Sequence, residues 1–119
     1  MKHEIMWWMS RLTIMLTSLF LSMTLAAKAY AVDIQMGYEG NLVFEPSEVT
    51  VSAGDTVTFI NNALPPHNVM IEGHEELSHG DLAFAPGETF GITFPDPGDY
   101  NFQCDPHAGA GMKGVIHVE

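Results

Sequence analysis

Four side chains in this sequence have the types and spacing to bind one metal ion together. Cys104, His107 and Met112 follow one another closely, with two residues between the cysteine and the histidine and four between the histidine and the methionine, while His67 lies well upstream. A thiolate and two imidazoles in a near-trigonal plane, with a thioether at long axial range, suit a copper ion that alternates between two oxidation states. The spacing therefore predicts a copper site in which one tight loop supplies three ligands and a distant segment supplies the fourth.

Each of these residues also has an ordinary structural explanation when it is considered alone. A buried cysteine usually behaves as a small hydrophobe, and a methionine often fills a gap in a core. The combination of all four favours a metal site. Zinc is the competing metal, but structural zinc sites rarely use a thioether, so Met112 would have no role there. Four protein ligands leave no open coordination position, which disfavours an oxidising or hydrolytic copper enzyme.

Alternation of apolar and polar residues predicts the strands that hold these ligands. Segment 89–94 places its three apolar side chains on one face, and segment 95–98 has the prolines, aspartate and glycine of a turn. After that turn, Tyr100, Phe102 and Cys104 share the inward face of the next strand. The thiol is thus predicted to end a core strand, and the two strands are predicted to pair as a hairpin.

The rest of the sequence after residue 31 also favours strands. A second hairpin is predicted where segments 48–51 and 56–60 flank a turn. His67 opens an apolar segment that we expect to form a strand beside the one ending in Cys104. Further strands are predicted at 32–36, 42–44 and 115–118. No helical period is sustained, so the pattern predicts an all-β domain built as a two-sheet β-sandwich.

The segment 72–79 nearly matches the zinc-protease motif of His-Glu, two residues and His. His74 and His79 are one position too far apart, because five positions on a helix leave the two rings about 140° apart around its axis. They could not share a zinc ion on a helix. The segment is therefore predicted to be a solvated loop.

The first 31 residues differ in composition from the rest. Lys2 and Arg11 precede an uncharged run of 16 residues, Leu12 to Ala27, and small residues follow it. This order is typical of a secretory signal peptide, so we expect residues 1–31 to be a leader and residues 32–119 to be the copper-binding domain. A membrane anchor is the alternative, but the run is shorter than the roughly 20 residues that a spanning helix needs.

Charge and cysteine count restrict the partners and the redox chemistry of the domain. Residues 32–119 contain 14 acidic residues and one basic residue, Lys113, which gives a formal charge of −13 with histidines neutral. A nucleic-acid partner is therefore not expected, whereas a basic protein surface would be attracted. Cys104 is the only cysteine of the chain, so no internal disulfide can form. An exported protein with one thiol must bury it, join it to another molecule or bind a metal with it.

Two motifs resemble those of the plastocyanins, a family of type I blue-copper proteins. They are Asn61-Asn62-Ala63-Leu64-Pro65-Pro66-His67-Asn68-Val69 and Cys104-Asp105-Pro106-His107-Ala108-Gly109-Ala110-Gly111-Met112. The similarity runs across nearly all of residues 32–119. Amicyanins and pseudoazurins share the ligand types, but the Pro-Pro-His-Asn and Gly-Ala-Gly-Met sequences favour plastocyanin. The resemblance implies a cupredoxin-like Greek-key sandwich.

The resemblance also implies roles for individual residues. It makes His67, Cys104, His107 and Met112 the ligands of one copper ion, with Asn68 tying the two ligand segments together by hydrogen bonds. An apolar rim around His107 would form the docking surface for partners: Leu42, Pro66, Gly109 and Ala110. Two positions depart from the family pattern, because Gln103 stands where a tyrosine is common and Ala108 where cyanobacterial members often have arginine.

The function implied by the resemblance is electron transport in photosynthesis. Plastocyanins carry single electrons from cytochrome f to photosystem I in the thylakoid lumen, and this leader suits a cyanobacterial lumen or a periplasm. We expect a monomer, because the protein would have to diffuse between membrane complexes. A periplasmic copper-storage protein, or a cupredoxin that donates electrons to a respiratory oxidase, are the alternatives that the same ligands permit.

Overall fold

The structure is a computed structural model that describes residues 32–119, and it confirms an all-β fold. Short strands in the described residues alternate with turns rich in glycine, proline, asparagine and aspartate. The strands are β1 (Val32–Met36), β2 (Phe44–Glu45), β3 (Glu48–Val51), β4 (Thr56–Asn61), β5 (His67–Ile71), β6 (His79–Ala83), β7 (Thr89–Thr93), β8 (Gly98–Gln103) and β9 (Lys113–Val118). The predicted leader lies outside the described residues.

The strands form two sheets that face each other as a Greek-key sandwich. One sheet has the order β2-β1-β4-β7 and the other the order β3-β9-β8-β5-β6. Most neighbours are antiparallel, but β1 pairs with β4 and β3 with β9 in parallel. Parallel neighbours require the chain to leave the sheet between them, so the connections pass repeatedly from one sheet to the other. This confirms the predicted two-sheet sandwich.

Both predicted hairpins are wrong. β3 and β4 belong to different sheets, and so do β7 and β8, so the turns at 52–55 and 95–98 carry the chain across the sandwich. The first turn is closed by the Ser52 N–H, which donates to the Asp55 carboxylate at 2.9 Å. Alternation predicts which side of a strand is buried, but it contains no information about which neighbour completes the hydrogen-bond ladder. A strand that crosses to the facing sheet therefore has the same pattern as one in a hairpin.

The core lies between the sheets, and its inward faces agree with the predicted alternation. Tyr100, Phe102 and Cys104 are all buried, and Ile92 and Phe94 are buried on the facing strand segment. The ring centroid of Phe102 lies 4.7 Å from that of Phe44 and 5.7 Å from that of Phe59, in edge-to-face arrangements. Such aromatic contacts add to the stabilisation from area burial alone. The strand that ends at the cysteine is thus anchored in the middle of the core.

Two elements differ from the sequence-based prediction. β6 lies partly within the segment predicted to be a loop, where Glu75–Leu77 forms a 3-10 turn and His79 begins the strand. The predicted strand at 42–44 is shorter and begins at Phe44, which leaves Leu42 in the preceding loop. Among residues 32–119, no helix is long and apolar enough to cross a membrane.

Candidate metal centre

Two neighbouring strands bring the cysteine and the upstream histidine to the same end of the sandwich. β5 begins at His67 and runs antiparallel to β8, whose last residue precedes Cys104. The pairing of Met70 with Gln103 sets the register, so the start of β5 lies beside the chain that follows β8. His67 is 1% exposed and Cys104 is fully buried. Strand pairing therefore fixes both donors, although 37 positions separate them in sequence.

A short loop supplies the second histidine. Residues Asp105–Ala110 form a 3-10 helix that begins directly after Cys104, and its His107 turns back toward the thiol. The His107 N–H donates to the Cys104 carbonyl at 3.1 Å, and the Met112 N–H donates to the His107 carbonyl at 3.2 Å. The Cys104 N–H in turn donates to the Met112 carbonyl at 3.1 Å. These bonds close the loop on itself, so the ligand segment has little freedom to open.

The three nitrogen and sulfur donors converge on one point. The Cys104 sulfur lies 3.7 Å from Nδ1 of His67 and 3.3 Å from Nδ1 of His107, and the two Nδ1 atoms are 3.2 Å apart. Such separations are expected when three donors surround one ion at transition-metal bond lengths of about 2.0–2.3 Å. Within residues 32–119 this is the only group of three or more histidine, cysteine or acidic side chains close enough to share a metal ion.

Met112 is the candidate for a fourth donor, a thioether, in the same region. Its side chain is fully buried, and its backbone is paired with that of Cys104 on the other side of the loop. A thiolate, two imidazoles and a nearby thioether are the donors that suit copper in electron-transfer sites, whereas zinc and the alkaline-earth ions prefer other sets. The residues present therefore fit a type I copper ion.

Asn68 joins the two ligand segments and also reaches the neighbouring strand. Its side-chain oxygen accepts a hydrogen bond from the Asp105 N–H at 2.9 Å, and its side-chain nitrogen donates to the Gly80 carbonyl at 3.1 Å. One buried amide thus connects the start of β5, the beginning of the 3-10 helix and β6. The hydrogen bond from Asp105 fixes this neighbour of Cys104 relative to Asn68, the neighbour of His67.

The protein environment favours the neutral forms of the Cys104 thiol and the buried His67 imidazole. Burial raises the pKa of the Cys104 thiol, and backbone hydrogen bonds from Asn68 and His107 partly offset that rise. Burial also lowers the pKa of the His67 imidazole, with His107 adding to the effect and the Ala63 backbone opposing it. A neutral imidazole is ready to act as a ligand, whereas a thiol must lose its proton to bind a metal.

The residues of the predicted apolar rim are all at least partly exposed. His107 is half-buried, Leu42 and Pro66 are half-buried, and Gly109 and Ala110 are exposed. The apolar rim predicted from the sequence did not include Leu64, which lies in the loop before His67 and is 62% exposed. A leucine between Ala63 and Pro65, in a segment rich in turn-forming residues, was the available signal, but the sequence alone could not show that its side chain would remain uncovered.

A sandwich of two mostly antiparallel sheets, with a group of one cysteine and two histidines at one end, defines a copper protein of the cupredoxin class. Residues 30–119 match the family model described as copper binding proteins, plastocyanin/azurin family. The chain belongs to this family, and its cofactor is a type I copper ion.

Similar proteins support the same conclusion. The chain is 46% identical to plastocyanin from Scenedesmus fuscus, with 74% of this chain and 99% of that protein covered. It is 44% identical to a chloroplastic plastocyanin of Physcomitrium patens, with 82% of this chain and 63% of that longer protein covered. The structure of oxidised plastocyanin from Dryopteris crassirhizoma superposes with a TM-score of 0.66 at 30% identity, covering 74% of this chain and 100% of that one.

Proposed function

We propose that His67, Cys104, His107 and Met112 hold one copper ion and that the protein is a diffusible carrier of single electrons. The convergence of three donor atoms within 3.7 Å of one another at one end of the sandwich carries this proposal. When bound, copper supplies one-electron exchange between its two oxidation states. With four protein ligands, no open position is left for a substrate, so we propose no catalytic activity.

The contacts around the donors suit electron transfer, because they limit how far the ligands can move. His67 is held at the start of a sheet strand, and the loop that contains His107 is closed by three backbone hydrogen bonds. Asn68 links these two segments through its side chain. Hydrogen bonds that hold the segments next to the ligands orient the ligands and tune the metal. Little rearrangement between redox states keeps the barrier to electron transfer low.

The half-buried His107 is the proposed exit for the electron. The residues proposed to surround it are small or apolar, so that a partner protein can approach the ring closely. We propose that the apolar rim is the docking surface: Leu42, Pro66, Gly109 and Ala110. Leu64, two positions before Pro66, is exposed and is proposed to belong to the same contact.

The proposed partners are cytochrome f as donor and photosystem I as acceptor. The similar proteins from Scenedesmus fuscus and Physcomitrium patens are named plastocyanin. Residues 32–119 carry the net negative charge that would attract a basic partner. Lys113 is the single basic residue of this part of the sequence, apart from histidines. Recognition would therefore combine apolar contact at the rim with attraction of the acidic surface. The proposed location is a thylakoid lumen or a periplasm, and the proposed state is a monomer.

Stopped-flow and flash-absorbance kinetics test this function. Copper-loaded protein is mixed with reduced cytochrome f, and the reduced product is mixed with photo-oxidised photosystem I, at ionic strengths from about 10 to 500 mM. We expect second-order transfer in both steps, with rate constants that fall as salt screens the attraction. Metal-free protein is the control. Failure to exchange electrons with either partner would overturn the proposed route, and a respiratory oxidase would then be the next acceptor to test.

A further inference from the structure

Gly37 lies directly behind the ring of His67. It follows β1 and has a left-handed backbone conformation, with φ 77° and ψ 38°. A Cβ atom at this position would lie 2.7 Å from Nε2 and 3.4 Å from Cδ2 of His67, and 3.3 Å from the Ala63 carbonyl oxygen. Contacts under 3.0 Å essentially never occur for real Cβ atoms. The backbone therefore approaches the imidazole more closely than any residue with a side chain would allow.

We propose that Gly37 is a positioning residue for the metal ligand His67. The ring is held between two surfaces, with Nδ1 facing Cys104 and His107, and Nε2 facing the backbone at Gly37. Because the ring is 1% exposed, no solvent layer separates it from either surface. The Ala63 carbonyl lies on the same side of the ring and raises its pKa, but Nε2 makes no hydrogen bond of ordinary geometry. Packing against Gly37 therefore contributes to fixing the ring.

The backbone behind the ring is itself firmly attached to the sheet. Met36, the residue before Gly37, pairs with Asn61 of β4, and its carbonyl accepts a hydrogen bond from the Asn62 N–H at 2.9 Å. The Gly37 N–H donates to the Val43 carbonyl at 3.0 Å. A clash at Gly37 would therefore be relieved mainly by the imidazole, because moving the backbone would break these bonds.

The displacement needed is large for a metal ligand. Restoring an ordinary contact of 3.4 Å from 2.7 Å requires a movement of about 0.7 Å. Functional side chains usually need to be held within about 0.5 Å of their productive position. The movement would push Nδ1 toward the other donors or tilt the ring out of their plane. We therefore expect a methyl group at position 37 to disturb the metal centre. It would press on the Nε2 side of the His67 ring, which faces away from the other donors.

Gly40 offers a matched control in the same turn. Its φ is 78°, almost equal to that of Gly37, but a Cβ atom there would have no neighbour within 4 Å. Replacing either glycine by alanine strains the backbone similarly, because residues with a side chain disfavour positive φ. Only the change at position 37 reaches His67. A difference between Gly37→Ala and Gly40→Ala therefore reports the contact with the ring and not the strain of the turn.

The experiment compares copper binding by the wild-type protein and both variants. Copper(I) affinity is measured by competition with a chelator, and the copper(II) site by visible absorption and electron paramagnetic resonance. We expect Gly37→Ala to bind copper about 10- to 100-fold more weakly, with a changed spectrum, since loss of contacts that orient a ligand typically has this effect. Gly40→Ala should keep the wild-type affinity and spectrum. In metal-free protein, the ring resonances of His67 should shift only in Gly37→Ala.

This inference rests on the proposed copper ligands, but the outcomes separate the two. If the wild-type protein forms no coloured copper site, the ligand assignment fails. If the wild type is coloured and Gly37→Ala matches Gly40→Ala in affinity, spectrum and ring resonances, only the positioning role is overturned. Should Gly37→Ala fail to fold while Gly40→Ala folds, both changes are repeated in a His67→Ala background, which removes the ring. Recovered folding of Gly37→Ala in that background supports the contact, and continued failure overturns the positioning role.

Discussion

Replacing Asn68 by alanine removes the one side chain that bridges the two ligand segments. The variant loses the bond from the Asp105 N–H, at 2.9 Å, and the bond to the Gly80 carbonyl, at 3.1 Å. Asn68 itself is 5% exposed, but Asp105 and Gly80 are exposed residues. The two backbone groups freed by the change can therefore bind water, which limits the penalty for leaving them without a protein partner.

The expected loss of stability follows from these two hydrogen bonds. Each contributes a net of about 0.5–1.5 kcal/mol, so the metal-free Asn68→Ala protein should be about 1–3 kcal/mol less stable than the wild type. That is a large part of the roughly 5–15 kcal/mol that stabilises a typical domain. The effect on copper should be a 10- to 100-fold lower affinity, together with a shifted reduction potential, because the Cys104 segment is no longer fixed relative to β5.

Chemical denaturation of the metal-free protein measures the stability, and spectroelectrochemistry measures the potential of the copper-loaded form. Asn101→Ala is the control, since Asn101 is an exposed residue of β8 whose side chain makes no hydrogen bond within the described residues. Equal unfolding free energies and equal potentials in Asn68→Ala and Asn101→Ala would refute the bridging role of Asn68.

Two further substitutions test the docking surface and the opposite end of the sandwich. Leu42→Glu should lower the rate constant for electron transfer to photosystem I about tenfold or more, with unchanged visible absorption. A carboxylate left unpaired in an apolar contact costs more than the about 1–3 kcal/mol of a neutral polar group. Asn101→Glu adds the same charge elsewhere and should have a smaller effect. His117→Gln should remove a pH-dependent stabilisation, because hydrogen bonds to Asp99 and Glu48, both at 2.6 Å, raise the pKa of His117.

The sign of the His117 effect follows from the raised pKa. The stabilisation is fully present below the ordinary histidine pKa of about 6.5 and is lost as the pH rises through the higher pKa of the folded protein. The wild type should therefore exceed His117→Gln in denaturation midpoint at pH 5.5, with the difference shrinking toward pH 9. A difference that stays constant over this range would contradict the proposed protonation. Equal rate constants for Leu42→Glu and the wild type would contradict the docking surface.

Much of the fold could be predicted from alternation alone, because a strand with one buried face has apolar residues at every second position. The inward positions of Tyr100, Phe102 and Cys104 are examples. The sheet to which a strand belongs cannot be read from this alternation, so the two predicted hairpins were wrong. β6 was missed because Gly80 and Asp81 are poor strand formers, and its formation depends on β5 beside it and on the Asn68 side chain.

For the candidate site too, contacts between residues close in sequence could be predicted, whereas contacts between distant residues could not. The loop donors Cys104 and His107 are close in sequence, so their proximity could be predicted from spacing. The approach of His67 depends on the pairing of β5 with β8, which spacing does not specify. The contact of Gly37 with the His67 ring was not predictable, because a glycine in a turn has many uses and only the folded structure shows what lies beside it.

The most direct test of the copper site is a titration of the metal-free protein with copper(II), followed by visible absorption. The proposed ligands predict an intense visible band that saturates at one copper per chain, and this band should be absent in Cys104→Ser and weakened or shifted in His67→Ala. A sample that stays colourless, or a band that persists unchanged in Cys104→Ser, would contradict the proposal that these side chains bind copper.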